Sequence, residues 1–294
     1  MSIHALRILR SATPALIAFA LLCSMANGAT KKPEKAAAAL PRVSIPNTEI
    51  LGLKSSDTGR DYDLYVHLPD GYVRGTEKKY PIVYVLDGQW DFKLLASIYG
   101  GLRYDQVAPE LIVVGVTYSG DSPDYGALRA MDYTPTPVKT VPGSGDAPKF
   151  LAFFKKELIP FVEANYPADP SRRALLGSSY GGLFTLYAMF SDPELFRSYV
   201  AVSPDVLYDD RYGFKQEAAY ARKRRHLPVS LYLAVGEKED LRQPVEDFAR
   251  IVSDRGYTGL KVTSRVVEGE GHSGVKPEAF NRGLRFVMGG ESGQ

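Results

Sequence analysis

The chain has 294 residues with a formal net charge of +2, one cysteine (Cys23) and four histidines. Such a near-balanced charge argues against bulk nucleic-acid binding, which shows as a basic excess. With a single cysteine there is no internal disulfide, and after loss of an N-terminal leader there would be no thiol nucleophile or thiolate metal site either.

The first 28 residues read as a signal peptide. His4, Arg7 and Arg10 form a basic start, an apolar stretch runs from Ala15 to Met25, and small residues follow at Ala26 and Gly28. The apolar stretch is short for a membrane span. Leu22 before Cys23 does not suit a lipobox, which needs a small residue there. Removing the leader takes away Arg7 and Arg10 and no acid, leaving 34 basic and 34 acidic side chains. Residues 29–46, with the run TKKPEKAAAALP, read as a flexible tether with little to bury. Residues 47–290 are long enough for one large domain. The expected location is periplasmic or secreted, with no stable membrane insertion after the leader is removed.

Within that domain, apolar β-rich runs alternate with helical stretches. That predicts an α/β fold with a mostly parallel sheet and helices on both faces. Tyr62 to Leu68 alternates polar and apolar residues, as an antiparallel edge strand does. Tyr80 to Leu86 (YPIVYVL) and Leu111 to Val116 (LIVVGV) are continuous apolar runs, expected of strands covered on both faces. Ser119 to Gly145 is rich in Gly, Pro, Asp and Tyr and reads as a long irregular cover. Residues 147–164 predict an amphipathic helix bent near Pro160. Further on, the pattern gives a short strand at Arg173 to Leu176, a helix at Gly182 to Phe190, strands at Tyr199 to Val202 and Val229 to Val235, a last short strand at Arg265 to Val267, and a closing helix from Pro277 to Val287.

One motif carries chemistry. Gly177-Ser178-Ser179-Tyr180-Gly181 fits G-x-S-x-G between an apolar strand and an apolar helix. A sharp strand-to-helix turn strains the central serine and needs small neighbours, because backbone passes close by. The register makes Ser179 the nucleophile and Ser178 a bystander. A serine hydroxyl needs a base, and few histidines are available. His4 leaves with the leader, His67 lies inside a strand well before the elbow, and His226 follows the surface-like run Arg222 to Arg225. His272, in a glycine-rich loop between the last strand and the last helix, fits the chain order serine, acid, histidine.

The acid should end the strand between them. Glu237, Glu239 and Asp240 follow Gly236. Many hydrolases of this fold place the acid three residues after such a glycine, which selects Glu239, with Asp240 and then Glu237 as alternatives and a serine–histidine dyad as the fourth possibility. The oxyanion hole needs two backbone N–H groups. Tyr180, directly after the nucleophile, should give one, and Gln89, in the loop after the first buried strand, the other. Trp90, the only tryptophan, either walls the pocket or simply packs.

These residues resemble the esterase D-like family of α/β hydrolases, which includes formylglutathione hydrolase, feruloyl esterases, siderophore trilactone esterases and mycolyl transferases. The likeness runs from about Leu51 to Val287 through LPDGY, YPIVYVLDG, RAMDYTPT, FFKKELIPFVEANYP, RRALLGSSYGGLFTLYAMF and LFRSYVAVSPDVLYDD. It is most similar to the exported bacterial branch that contains siderophore esterases. The resemblance implies the α/β-hydrolase fold and the roles of Ser179 and His272, and it brings Arg129 and the Ser203-Pro204-Asp205 run close to the substrate. Where a Ser-Pro-Ser-Leu-Trp-Trp run is common in that branch, this chain has Ser203-Pro-Asp-Val-Leu-Tyr208, so one aromatic wall should differ. Arg129 can pair with catecholate or carboxylate oxygens of a substrate, or it can hold Asp132 or its own loop.

The expected activity is hydrolysis of a carboxylic ester through an acyl-enzyme, on a small-molecule substrate that includes siderophore trilactones, with no cofactor and no metal. Acyl transfer on the same triad, a generic short-chain carboxylesterase, and a binding protein on a hydrolase scaffold are the competing readings. Neither an H-E-x-x-H pattern nor paired histidine spacing supports a metal-dependent hydrolase.

Overall fold

Eight strands hydrogen-bond in the order β1-β2-β4-β3-β5-β6-β7-β8. The computed structural model describes Leu40 and residues 42–289; the expected leader and most of the expected tether lie outside the described residues. The strands are β1 (Thr48–Lys54), β2 (Asp61–His67), β3 (Tyr80–Val85), β4 (Ile112–Tyr118), β5 (Ala168–Ser178), β6 (Ser198–Val202), β7 (Ser230–Gly236) and β8 (Lys261–Val267). From β4 through β3 to β8 every pairing is parallel, whereas β1 and β2 run antiparallel at one side. This is the expected α/β arrangement. Residues 44–289 form one compact unit.

Strand composition follows position. Every residue of β3, β4 and β6 is buried, as central parallel strands require. In β2 alternate residues are buried. That alternation predicted an edge, but β2 lies between β1 and β4 and the edge is β1. The sequence of β1, TEILGLK, is exposed or half-buried throughout and carries too weak a pattern to stand out. The strands expected at Arg173 to Leu176 and Arg265 to Val267 are longer. The polar first half of β8 is held by ladder bonds to β7 rather than by burial, and β5 extends back across an irregularity to Ala168, which pairs with Tyr80.

The helices cover both faces, each over its own apolar core. Helices α1 (Gly88–Tyr104) and α8 (Lys276–Met288) pack together on one face. The other face carries α2 (Tyr125–Tyr133), α3 (Ala147–Phe153), α4 (Ile159–Asn165), α5 (Tyr180–Ser191), α6 (Tyr208–Lys223) and α7 (Arg242–Asp254). A π-helical turn at Phe154–Leu158 joins α3 to α4. Pro160 has no N–H to continue the regular ladder, and the wider turn, in which the Ile159 N–H reaches the Phe154 carbonyl, absorbs the mismatch. The cover expected to be irregular contains α2, which Asp124 caps through the Ala127 N–H. No described helix is long and apolar enough to cross a membrane.

Candidate active site

The C-terminal ends of β5, β6, β7 and β8 lie side by side, and the loops leaving them bring the candidate residues together. β5 turns into α5 at Ser179, whose backbone sits at φ 60° and ψ −123°. That is a strained conformation for a residue with a side chain. The turn is possible because a Cβ at Gly177 would collide with the Gly181 carbonyl, and one at Gly182 would lie 3.0 Å from Pro204. Ser178 is buried in the strand and its hydroxyl has no hydrogen-bond partner among the described residues, whereas Ser179 is half-exposed at the tip.

A chain of contacts leads from the elbow to the imidazole. The Ser179 N–H donates to Val202 O (2.9 Å), and Ser203, the next residue, donates its N–H to Ala234 O (2.7 Å) and its hydroxyl to Glu239 Oε1 (2.6 Å). The Gly236 N–H donates to the same oxygen (2.6 Å), and Glu239 Oε2 lies 2.6 Å from His272 Nδ1. Of the three acids after β7, Glu239 is the one that reaches the histidine. Glu237 turns instead to the Gly269 N–H and Arg242, and Asp240 is exposed. Burial pushes the Glu239 carboxyl up, but the hydrogen bonds from His272, Ser203 and Gly236 outweigh it and hold the group below the ordinary glutamate range. The imidazole is 47 % exposed. Among the described residues no hydrogen bond joins it to Ser179. His226 lies elsewhere, against Thr258.

Two helix N-termini offer free donors. At α5 the Tyr180 N–H has no partner among the described residues, and at α1 the Gly88 and Gln89 N–H groups precede the first helical bonds, which start with Trp90 N and Asp91 N on Asp87 O. The Gln89 side chain is turned away, accepting from Thr117 Oγ1 (2.7 Å), so only its backbone faces the turn. Asp87 adopts a left-handed conformation (φ 54°) that redirects the chain from β3 into α1.

Three residues expected at the substrate already have partners within the protein. Arg129 is bound to Asp87, with Nε on Oδ1 at 2.9 Å and Nη2 on Oδ2 at 2.8 Å, and it neither extends into solvent nor holds Asp132. Arg60 takes Asp132 instead, together with the Tyr62 hydroxyl. The rings of Trp90, Tyr133 and Tyr180 surround the Arg129 guanidinium at 5.5–5.7 Å. Ser203 is fully buried and serves the carboxylate of Glu239, not a ligand. Asp205 is half-buried; burial raises its carboxyl, and the N–H groups of Leu207 and Tyr208 and the nearby His272 oppose that rise, so it caps the turn after β6. Trp90 is 49 % exposed, and with Leu207, also largely exposed, it offers apolar surface near the elbow.

The sequence reading passed over two residues. Asp87 anchors Arg129, and Asp91 in the first turn of α1 accepts from Lys276 Nζ (2.9 Å), four residues beyond His272. A lone aspartate next to a helix start is the only local signal for either, and their partners are 42 and 185 residues away.

A strained serine on a strand-to-helix elbow, followed in chain order by an acid and a histidine in contact, defines the α/β-hydrolase class of esterases. The family model described as "Putative esterase" matches residues 55–273. The ferri-bacillibactin esterase BesA of Bacillus subtilis (strain 168) is 27% identical over 268 residues, 83% of this chain and 91% of that protein. The crystal structure of the BES protein from Bacillus cereus superposes with a TM-score of 0.76 at 26% identity, covering 85% of this chain and 98% of that one. The siderophore hydrolase EstB from Aspergillus nidulans gives 0.75 at 26% identity, over 87% and 99%. The chain therefore belongs to the "Putative esterase" family and is a serine ester hydrolase.

Proposed function

We propose that Ser179, His272 and Glu239 are the catalytic triad and that the substrate is a siderophore ester. The contact of His272 Nδ1 with Glu239, placed beyond the elbow serine, carries the first part. Ser179 Oγ attacks the ester carbonyl while His272 Nε2 takes its proton. The Tyr180 and Gln89 N–H groups receive the developing oxyanion, and Glu239 keeps the Nδ1 proton in place and stabilises the imidazolium. The imidazolium then protonates the leaving alkoxide, and water releases the acyl group by the same path. The Ser179–His272 hydrogen bond forms as substrate docks, a tightening common in such sites.

The similarity to a ferri-bacillibactin esterase and to a siderophore hydrolase supports the substrate class. The half-exposed imidazole and the exposed Trp90 leave room for a bulky ester. Export through residues 1–28 to the periplasm or beyond fits the same reading, because such ligands pass there. Acyl transfer and short-chain carboxylester hydrolysis on the same triad are the rivals. The test compares kcat/KM for a trilactone siderophore with that for short p-nitrophenyl esters, with and without acceptor alcohols. The trilactone should be turned over faster and the alcohols should yield no transfer product. Faster turnover of the simple esters would sink the siderophore assignment.

A further inference from the structure

A cavity of about 930 Å³ lies toward the N-terminal ends of the parallel strands, away from the triad. It is open to solvent, and residues of α1, α8 and β8 form most of its wall. Five arginines line it: Arg103, Arg172, Arg265, Arg282 and Arg285, with no carboxylate among the described residues of the wall. The nearest acids do not balance them. Arg265 and Arg282 share one carboxylate oxygen of Glu278. Arg103 lies 3.8 Å from Glu110, which Lys78 holds more closely. Arg172 and Arg285 have no ion pair among the described residues.

A second, independent feature points into the same space. Tyr232 is 2% exposed and lines the cavity, yet its hydroxyl has no hydrogen-bond partner among the described residues. An unpaired buried hydroxyl is costly unless something outside the protein completes it. Arg265 and Arg282 line the same cavity as Tyr232. The close packing of α8 on the sheet creates the geometry. A Cβ at Gly283 would lie 2.7 Å from Val200 and 3.1 Å from the Tyr232 ring, so only glycine lets the helix sink far enough to bring Arg282 and Arg285 to the rim. Phe286 packs at a tilt to Tyr232, 6.0 Å between ring centroids, and, with Val107 and Met288, supplies an apolar wall.

We infer that this cavity is a binding site, separate from the ester-cleaving site, for a small anion that joins a phosphate or carboxylate head to an apolar or aromatic body. Guanidiniums match such oxyanions in a planar, two-point fashion. The Tyr232 hydroxyl donates the remaining hydrogen bond, and the volume suits a small organic ligand. The inference does not depend on the triad or on the siderophore reading.

Phenyl phosphate is the probe, titrated calorimetrically into the full chain. Saturable one-to-one binding is expected. Arg172→Gln and Arg285→Gln should each weaken it roughly tenfold or more, as loss of a charged hydrogen bond does. Tyr232→Phe should weaken it several-fold, leave esterase activity unchanged and, by removing the unpaired hydroxyl, slightly raise the thermal stability of the ligand-free chain. Arg222→Gln, on an exposed helix end elsewhere, should change nothing. Absence of saturable binding at millimolar probe overturns the inference, as does equal loss in Arg222→Gln or full retention in all three cavity variants. Retention on phosphatidylglycerol vesicles without binding of soluble phenyl phosphate also overturns it, by assigning the arginines to a membrane surface.

Discussion

On the β7–β8 side of the site, a half-exposed imidazole rests on a carboxylate that takes one backbone and one hydroxyl hydrogen bond besides. On the β3–α2 side, Asp87 is almost wholly buried, with its side chain 2 % exposed, and it is gripped at both oxygens by a guanidinium walled in by three aromatic rings. Arg129 also reaches toward Ser178 O (3.4 Å), so the same side chain braces the turn before Gln89 and the strand before Ser179. In the proposed mechanism the first half contains the group that accepts and returns a proton, and so must adjust as substrate enters. The second braces the turn that carries the proposed Gln89 N–H donor, which works best when it is fixed in advance. Wet and adjustable on one side, dry and fixed on the other, the two halves should fail differently when they are altered.

The largest effect should come where the halves meet. Ser179→Ala should cut kcat on an activated ester by on the order of a millionfold with no change in fold, because a triad acts as a unit. Ser178→Ala, which removes a buried hydroxyl without a partner, should keep its activity. The reverse pattern would move the elbow by one residue. In the wet half, Glu239→Gln should lower kcat by roughly 10³–10⁴, the scale of losing an orienting acid. Glu237→Gln and Asp240→Asn should stay near wild type. If all three lose less than about tenfold, a dyad replaces the triad.

The same division explains what could be read from the sequence. The parallel sheet, the elbow and the positions of Ser179, Glu239 and His272 are carried by local signals: continuous apolar runs, a glycine-flanked serine, and loops in a fixed chain order. The dry half is built from partners far apart in sequence. Arg129 finds Asp87 at a separation of 42 residues, and Arg60 finds Asp132 at 72. Nothing near Arg129 distinguishes a guanidinium that faces substrate from one that braces a turn, and Asp132, three residues along the same helix, was the nearer candidate. Ser203 misleads for a similar reason: at the end of β6 it looks like a pocket residue, and only the approach of the β7 loop shows that its hydroxyl belongs to Glu239. Helices α1, α6 and α7 and strand β1 were not among the expected elements. The polar sequence of α6 and the weak pattern of β1 leave the decision to tertiary packing, whereas α7 does carry a helical signal, with Val245, Phe248, Ala249 and Val252 on its buried face.

Breaking the dry half should show first in stability. Arg129→Met leaves the Asp87 carboxylate buried without its partner, a loss of about 3–5 kcal/mol for a buried pair. Urea unfolding measures it. The double variant Asp87→Asn/Arg129→Met should recover part of that loss, since the buried charge is then gone. Glu239→Gln, by contrast, should cost far less stability than activity. Equal destabilisation by Arg129→Met and Glu239→Gln would erase the distinction between the halves.

The smallest expected effect tests the strut between them. Asp91, on the dry-side helix, pairs with Lys276 beyond the His272 loop. Burial raises its carboxyl, Lys276 opposes that rise, and the outcome is a shift from the usual 3.8 to about 6. The folded chain therefore holds this proton more tightly than the unfolded chain does. The stability this contributes is complete below the unfolded pKa and is lost as pH rises through about 6. The whole swing is on the order of 3 kcal/mol. Glu239 has the opposite sign: its carboxyl is held below the ordinary range, so its contribution is present near neutrality and is lost as pH falls through its folded pKa. Thermal melts of wild type, Asp91→Asn and Glu239→Gln across roughly pH 4 to 7 separate the two. Relative to wild type, Asp91→Asn should gain several degrees in Tm as pH rises, because it lacks the charge that becomes costly to bury. Glu239→Gln should lose ground over the same range. Parallel curves for the two variants would mean that Asp91 keeps an ordinary carboxyl and that the Lys276 contact is a surface pair of no consequence to the site.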